Sequence, residues 1–146
     1  MEIEIQIRIE ASARDLPIPK YMTPDSAGLD LLASESVVIG AGEWVKVCCG
    51  FSIAIPCGYE GQVRPRSGLA LEHGVTVLNA PGTIDADYRG LVQVILINHG
   101  NREYPVERGA RIAQLVISPV LHAQLRTAES LEETERAQGG FGHTGR

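Results

Sequence analysis

Residues 35–56 read ESVVIGAGEWVKVCCGFSIAIP, and this stretch indicates the fold class of the chain. Its β-branched and aromatic runs are separated by glycines, which is typical of two or three short strands joined by tight turns. Comparable runs follow in VTVLNAPG (75–82), LVQVILINHG (91–100) and RIAQLVISPV (111–120), each bounded by Gly, Asn or Pro. Several short strands at this spacing predict an all-β sandwich.

The first ten residues, MEIEIQIRIE, alternate polar and apolar side chains and predict a half-buried strand. They contain no continuous apolar stretch, so we expect neither a signal peptide nor a membrane span. One helix of about two turns is predicted within SGLALEHG, residues 67–74, where Ser67 is the candidate N-cap and Gly74 the candidate C-cap.

The length of 146 residues is that of a single domain. The composition changes near Arg126, because almost no aliphatic residue follows Leu131 and four glycines lie near the end. We therefore expect a sandwich domain over residues 1–125 and a flexible, glycine-rich tail over residues 126–146.

The formal net charge of −5 argues against a protein that follows a nucleic-acid backbone, since such proteins usually have a basic surface. An acidic protein can still bind one small polyanion where a few arginines, backbone N–H groups and a metal ion converge. A small anionic ligand therefore stays open as a partner, whereas nucleic acid is not expected.

The three cysteines are Cys48, Cys49 and Cys57. They are odd in number, two are adjacent in an apolar run, and none forms a CxxC pair. This pattern predicts buried free thiols rather than disulfides or a zinc site. We therefore expect a reducing compartment, namely the cytoplasm.

The segment GTIDADYRG, residues 82–90, carries two carboxylates, a tyrosine and an arginine between apolar runs. Taken alone, it is typical of a polar hairpin connection. The upstream NAPG turn supports another interpretation, in which Asn79, Asp85 and Tyr88 line one side of a bent hairpin. There a carboxylate would orient a water, an amide would pair with a base edge and a tyrosine ring would pack on a sugar.

Two further segments contain candidate anion contacts. In RPRSGLA (64–70), Arg66, Ser67 and Gly68 stand at a helix start, which suits an anion, although an ordinary helix cap explains them as well. In ARIAQL (110–115), Gln114 is either a ligand contact or a strand residue that faces solvent.

The tail contains one aromatic residue, Phe141, between two glycines and outside any apolar period. We therefore expect this ring to be covered by a ligand or by a neighbouring subunit, and not by the core of its own chain. Arg136, Thr144 and the glycine amides would then close over phosphates while the ring covers a base. The alternative is an unused, disordered terminus.

Together these segments resemble the trimeric dUTP diphosphatases (dUTPases), whose five ordered motifs all have counterparts here. The counterparts are AGLDL (27–31), PRSGLA (65–70), GTIDADYRG (82–90), RIAQL (111–115) and RAQGGFGHTG (136–145). The resemblance spans nearly the whole chain and implies a jelly-roll β-sandwich, assembled as a homotrimer with three interfacial sites. It also implies hydrolysis of dUTP to dUMP and pyrophosphate, which limits uracil incorporation into DNA and supplies dUMP for thymidylate synthesis.

The resemblance further implies roles for individual residues. Asp85 matches the residue that activates the attacking water and contacts the 3′-hydroxyl. Tyr88 matches the tyrosine that packs on the deoxyribose and excludes ribonucleotides. Asn79, together with hairpin backbone groups at Thr83 and Ile84, matches the groups that read the uracil edge.

Phosphate contacts are implied for Arg66, Ser67, Gly68 and Gln114. The implied cofactor is Mg²⁺, which Asp30 supports through the waters of the ion. Closure over the nucleotide is implied for the tail residues Arg136, Phe141, Gly142, His143 and Thr144.

The chain departs from the usual family pattern at four positions. Ala137 stands where Gly is common, His143 where Ser is common, Ala110 where Asp is common and Leu91 where Glu is common. The departure at His143 removes a hydroxyl that would contact a phosphate.

Two rival functions stay open. The dCTP deaminases resemble dUTPases in fold, and some bifunctional members release pyrophosphate, but deamination needs a general acid/base carboxylate in a different hairpin setting. A non-enzymatic protein that binds dUTP as a signal would need no water-activating base such as Asp85.

Overall fold

The computed structural model describes residues 3–141, and these residues form a β-sandwich of two four-stranded sheets with a separate two-stranded ribbon. The strands are β1 (Gln6–Ile9), β2 (Leu29–Leu32), β3 (Val37–Ile39), β4 (Trp44–Ala54), β5 (Tyr59–Arg64), β6 (Val75–Val77), β7 (Gly82–Ile84), β8 (Leu91–Asn98), β9 (Tyr104–Val106) and β10 (Arg111–Pro119). A single turn of 3-10 helix covers Ala11–Ala13, and the helix α1 covers Ser67–His73. The all-β prediction is therefore confirmed.

The first sheet has the strand order β1-β4-β8-β6, the second has the order β2-β10-β5-β7, and β3 pairs with β9 in the ribbon. Every neighbouring pair is antiparallel. Strands that follow one another in sequence, such as β6, β7 and β8, alternate between the sheets. The polar connections between them are consequently held at the edges of the sandwich.

The core lies between the two sheets and follows the period of two that strands impose. In β8, Val92, Val94 and Leu96 are buried toward the core, while the residues between them face the other way. Leu31 and Ile112 contribute from the second sheet and are almost completely buried. Each such side chain contributes about 1.5–3 kcal/mol through burial, so the sandwich is a stable support for the loops at its edges.

The predicted helix is present, but its N-terminal cap differs from the prediction. Its end is as expected, because Gly74 has a left-handed backbone (φ 68°) and donates its N–H to the carbonyl of Ala70 at 3.0 Å. The prediction that Ser67 is the N-cap was wrong. Arg66 holds that position with an extended backbone and no side-chain cap, so the Ser67 hydroxyl belongs to the first helical turn.

The three cysteines are free thiols, as predicted, but they are not all buried. Cys49 is buried, and desolvation raises the pKa of its thiol to about 12. Cys48 is half-buried. Cys57 is exposed because it lies in the turn between β4 and β5, where no apolar face covers it.

Among the described residues, no helix is both long and apolar enough to span a membrane. The part of the chain beyond β10, up to residue 141, forms turns but neither strand nor helix. The division between a domain at 1–125 and a tail at 126–146 stays a prediction.

Candidate active site

A cavity of about 230 Å³ lies where the connection from β6 to β8 passes over the outer face of β8. The structure brings Asn79, Asp85 and Tyr88 together in its wall. The other residues that line it are Lys46, Val63, Gly82, Thr83, Ile84, Leu91, Val92, Gln93 and Ile95. A carboxylate, an amide and an aromatic ring thus share one concave surface, and a pocket with a few convergent polar groups is typical of a small-molecule site.

The chain crosses from one sheet to the other in this region, and the crossing positions Asp85. Strands β6 and β8 belong to the first sheet, whereas β7 pairs with β5 in the second sheet, with Gly82 opposite Val63 and Ile84 opposite Gly61. The predicted bent hairpin was therefore wrong in its pairing, since its arms lie in different sheets. Asp85 directly follows the last residue of β7, where the chain turns back toward β8.

The side chains of this segment alternate between solvent and core. Thr83 and Asp85 are exposed, while Ile84 between them is only 7% exposed. The side chain of Ile84 therefore packs in the sandwich, and only its backbone N–H and C=O can contact a ligand. Asn79 is exposed, as expected for an amide that reads a ligand.

A second polar cluster surrounds Asp30 in β2. Nη1 of Arg111 donates to Oδ2 of Asp30 at 3.4 Å, and Nε of Arg66 lies 4.0 Å from Oδ1 of the same carboxylate. Nη1 of Arg66 also donates to the carbonyl of Arg111 at 3.0 Å. Partly exposed ion pairs of this kind contribute only about 0–1 kcal/mol each, so the arginines can turn to a bound anion at little cost.

Gln114 lies beside Asp30 in the adjacent strand β10, because the two residues are directly opposite in the register. Its Nε2 donates to the carbonyl of Pro65 at 3.0 Å, so the side chain is held next to Arg66 rather than in bulk solvent. Gly28 leaves room for it, since a Cβ at Gly28 would lie 2.5 Å from Oε1 of Gln114. The interpretation of Gln114 as a simple solvent-facing residue does not hold.

Ser67 and Gly68 open α1 immediately after Arg66. Apart from its chain neighbours and its own helix backbone, nothing described lies within 4 Å of the Cβ position of Gly68, so this face of the helix start is open to an approaching ligand. The predicted phosphate contacts Arg66, Ser67, Gly68 and Gln114 therefore lie in one region, with Asp30 beside them.

The two polar regions are far apart in one chain. Ile84 lies opposite Gly61 near one end of β5, and Asp85 follows Ile84. Arg66 lies beyond the other end of β5, in extended conformation. Along the direction of β5, the backbone positions of Asp85 and Arg66 are six residues of extended chain apart. This separation is about 20 Å at about 3.3 Å per residue. A ligand that touches both Asp85 and Arg66 of the same chain would have to span that distance.

The described part of the tail, up to residue 141, contributes little to either region. Nε of Arg136 donates to the carbonyl of Gly139 at 2.9 Å within a local turn, and Phe141 is fully exposed. Ala137 has a left-handed backbone (φ 44°), which costs a residue with a Cβ about 1–2 kcal/mol and explains why Gly is favoured there. Gly142, His143 and Thr144 lie outside the described residues.

The structure adds site residues that the sequence did not indicate. Lys46 and Gln93 line the cavity with Asp85 because their strands meet there, and strand register cannot be read from a single sequence. Arg111 is the first residue of the RIAQL segment. The sequence does not indicate that it pairs with Asp30, because this ion pair depends on the β2–β10 register.

Residues 3–141 contain no group of three or more His, Cys, Asp or Glu side chains placed to hold a metal ion. Asp30 is a single carboxylate with two arginines beside it. This donor set fits Mg²⁺ that arrives with a polyphosphate and keeps most of its waters, because such ions are held by one or two carboxylates and the substrate.

Sequence and structure comparisons show which known proteins this chain is similar to. A sequence model of the family described as dUTPase matches residues 14–145. The chain is 55% identical over 143 residues to the deoxyuridine 5′-triphosphate nucleotidohydrolase of Syntrophotalea carbinolica, with 97% of each chain covered.

Solved structures show the same fold. The dUTPase of Staphylococcus bacteriophage 80alpha with dUPNHPP aligns with a TM-score of 0.88 and 26% identity over 98% of this chain and 99% of that chain. The dUTPase of phage phi11 of S. aureus aligns with a TM-score of 0.81 and 23% identity over 90% of this chain and 100% of that chain. The predicted jelly-roll type of sandwich is confirmed.

Proposed function

The chain belongs to the dUTPase family and is a dUTP diphosphatase, and we propose that its site is completed between copies of the chain in a homotrimer. The observation that carries this proposal is the separation of Asp85 from Arg66 by the length of β5. A water that attacks the α-phosphorus must lie within a few ångströms of both its base and the phosphates. The two groups therefore come from different subunits, with the cavity of one subunit facing the Asp30 cluster of its neighbour.

The cavity holds the nucleoside. The amide of Asn79 and the backbone groups of Thr83 and Ile84 pair with the uracil edge, and the confined space excludes a 5-methyl group. The ring of Tyr88 lies on the deoxyribose at the position where a 2′-hydroxyl would be. The carboxylate of Asp85 accepts a hydrogen bond from the 3′-hydroxyl and orients the attacking water.

Hydrolysis proceeds by in-line attack of this water on the α-phosphorus. The carboxylate of Asp85 takes the proton of the water as the new P–O bond forms. The bond from the α-phosphorus to the bridging oxygen breaks, and pyrophosphate leaves with the electron pair. Arg66, Gln114 and the amides at Ser67 and Gly68 stabilise the charge on the phosphates.

Mg²⁺ is the proposed cofactor, and Asp30 is the residue that would hold it, through water, when the triphosphate is bound. When bound, it neutralises phosphate charge and orients the leaving group. Asp30 also lies between Arg66 and Arg111, so it keeps both guanidinium groups on the surface that the phosphates approach.

The tail closes the site in this proposal. Phe141 covers the base while Arg136, Gly142, His143 and Thr144 contact the phosphates and exclude bulk water. The Phe141 ring is fully exposed among the described residues, which supports this role because its surface is left for a ligand. The free thiols support a reducing location, for which we propose the cytoplasm.

Two measurements on the purified protein test the proposal. Pyrophosphate release from dUTP, dTTP, dCTP and UTP should be fast for dUTP alone, and dCTP should yield no ammonia. Ammonia from dCTP would favour the deaminase alternative, and tight dUTP binding without pyrophosphate would favour the sensor. Native mass spectrometry should give three copies, and an active monomer would contradict the shared site.

A further inference from the structure

The ring of Tyr88 lies directly against Gly90. A Cβ built on Gly90 would be 2.5 Å from Cζ and 2.9 Å from Cε2 of Tyr88, and it would also overlap the phenolic oxygen. Non-bonded carbon atoms need about 3.5–4.0 Å. The backbone of Gly90 is not in the left-handed region, so the residue is required here for space rather than for its dihedral angles.

Two hydrogen bonds fix Tyr88 on its other sides. Its backbone N–H donates to the carbonyl of Asp85 at 3.1 Å, and its hydroxyl donates to the carbonyl of Leu91 at 3.0 Å. Arg89 closes the same loop by donating from Nη1 to the carbonyls of Ala86 and Tyr88 at 2.7 and 2.8 Å. The ring is nevertheless 43% exposed and lines the cavity, so one part of it remains available to a ligand.

We infer that Gly90 is a positioning residue that sets the Tyr88 ring for discrimination between deoxyribose and ribose. This inference rests on the proposed role of Tyr88 against the sugar. A methyl group on Gly90 would displace the ring by about 1 Å to reach ordinary contact distance. It would also stretch the hydroxyl away from Leu91, because the ring and its oxygen move as one rigid unit.

A displaced Tyr88 ring lowers the preference for dUTP over UTP, whether the ring moves out of the cavity or into it. If the ring leaves the cavity, a 2′-hydroxyl fits and UTP becomes a better substrate. If the ring moves further into the cavity, dUTP loses its close fit and its kcat/KM falls. The kcat/KM for UTP falls less, because UTP already fits poorly. The ratio of kcat/KM for dUTP to that for UTP therefore falls in both cases, by about tenfold or more, since one misplaced group in a tight pocket changes discrimination by that order.

The experiment compares Gly90→Ala with three other full-length variants. Gly40→Ala is the matched control, because the atoms nearest to its new methyl belong to the flexible side chain of Glu43, and neither residue lines the cavity. Tyr88→Ala tests the role of the ring itself, and Tyr88→Ala with Gly90→Ala tests whether the two residues act through one contact. For each variant, kcat/KM is measured with dUTP, UTP and dTTP.

We expect Gly90→Ala to lower the dUTP/UTP ratio at least about tenfold while the dUTP/dTTP ratio, which depends on the base pocket, stays within about threefold. The double variant should have the dUTP/UTP ratio of Tyr88→Ala alone. Gly40→Ala should match the unmodified protein.

The outcomes separate this inference from the proposed role of Tyr88. An unchanged dUTP/UTP ratio in Gly90→Ala, with a lowered ratio in Tyr88→Ala, overturns the positioning role of Gly90 alone. An unchanged ratio in Tyr88→Ala overturns the sugar role as well. If Gly90→Ala does not fold, the variant that also carries Tyr88→Ala decides the question. Folding of that double variant supports the contact between residues 88 and 90, and its failure to fold overturns the contact.

Discussion

Asp85 and Arg66 lie at opposite ends of β5, about 20 Å apart in one chain as judged from the strand register. The two residues therefore belong to different candidate regions, one at the cavity and one at the Asp30 cluster. A site that needs both has to be assembled from more than one copy. In the proposed homotrimer, assembly would therefore be part of the catalytic mechanism.

Replacing Asp85 by Asn should keep dUTP binding and remove most hydrolysis. The amide has the same size and can still hold the sugar, but it cannot accept a proton from the attacking water. We expect kcat to fall by about 10²- to 10⁴-fold, as is typical when a general base is removed. Asp87→Asn is the matched control, since Asp87 has the same charge two residues away but does not line this cavity. Equal loss in both variants would argue against a specific role for Asp85.

Replacing Gly28 by Ala should weaken the phosphate contacts through Gln114. The new methyl would lie 2.5 Å from Oε1 of Gln114 and push the amide off the Pro65 carbonyl. We expect KM for dUTP to rise by about tenfold, the effect of one hydrogen bond to a charged group. Steady-state kinetics with dUTP measures this, and an unchanged KM would contradict the expectation that Gly28 holds Gln114 at the phosphates.

The sequence predicted the fold class well because the strand signals are local. The runs that became β4, β8 and β10 combine β-branched residues with terminal Gly, Asn or Pro. The strand β5 was missed, because YEGQVR contains a glycine and several polar residues. It is a strand nevertheless, since β10 and β7 pair with it on both sides.

Much of the candidate site was also predictable, but its arrangement was not. Asp85 and Tyr88 were identified from a short polar segment, and proximity in sequence already implied proximity in space. The pairing of Asp30 with Arg111, 81 residues away, depends on the β2–β10 register, which no local signal encodes. The crossing of residues 78–90 between the sheets is a tertiary feature for the same reason.

Deleting residues 136–146 should reduce kcat severely and leave the assembly intact. Within residues 3–141 the last strand ends at Pro119 and no buried core residue follows it, so we expect the deletion to leave the sandwich intact. The loss would come from the phosphate contacts of the tail and from entry of bulk water. The melting temperature and native mass should be nearly unchanged. Full activity of the truncated protein, or its dissociation, would contradict this role for the tail.

The thiol of Cys49 should resist alkylation in the folded protein. Burial raises its pKa to about 12, so little of the thiol is ionised at pH 8, and the thiolate is the reactive form. Because the side chain is also only 4% exposed, iodoacetamide cannot reach the sulfur in the folded protein, whereas 8 M urea should expose it. Iodoacetamide labelling followed by peptide mass spectrometry measures this, with the exposed Cys57 as the reference. Rapid native labelling of Cys49 would show that β4 opens at that position.

Subunit complementation tests the shared site most directly. Asp85→Asn and Arg66→Gln chains, each inactive alone, are mixed in equal amounts and reassembled, and native mass spectrometry verifies that mixed trimers form. If Asp85 and Arg66 act from different subunits, random assembly gives both intact residues in about one quarter of the sites, so about one quarter of the unmodified rate should return. If both residues act from one chain, every site in the mixture retains a defect. Mixed trimers as inactive as the two parents would therefore contradict the account.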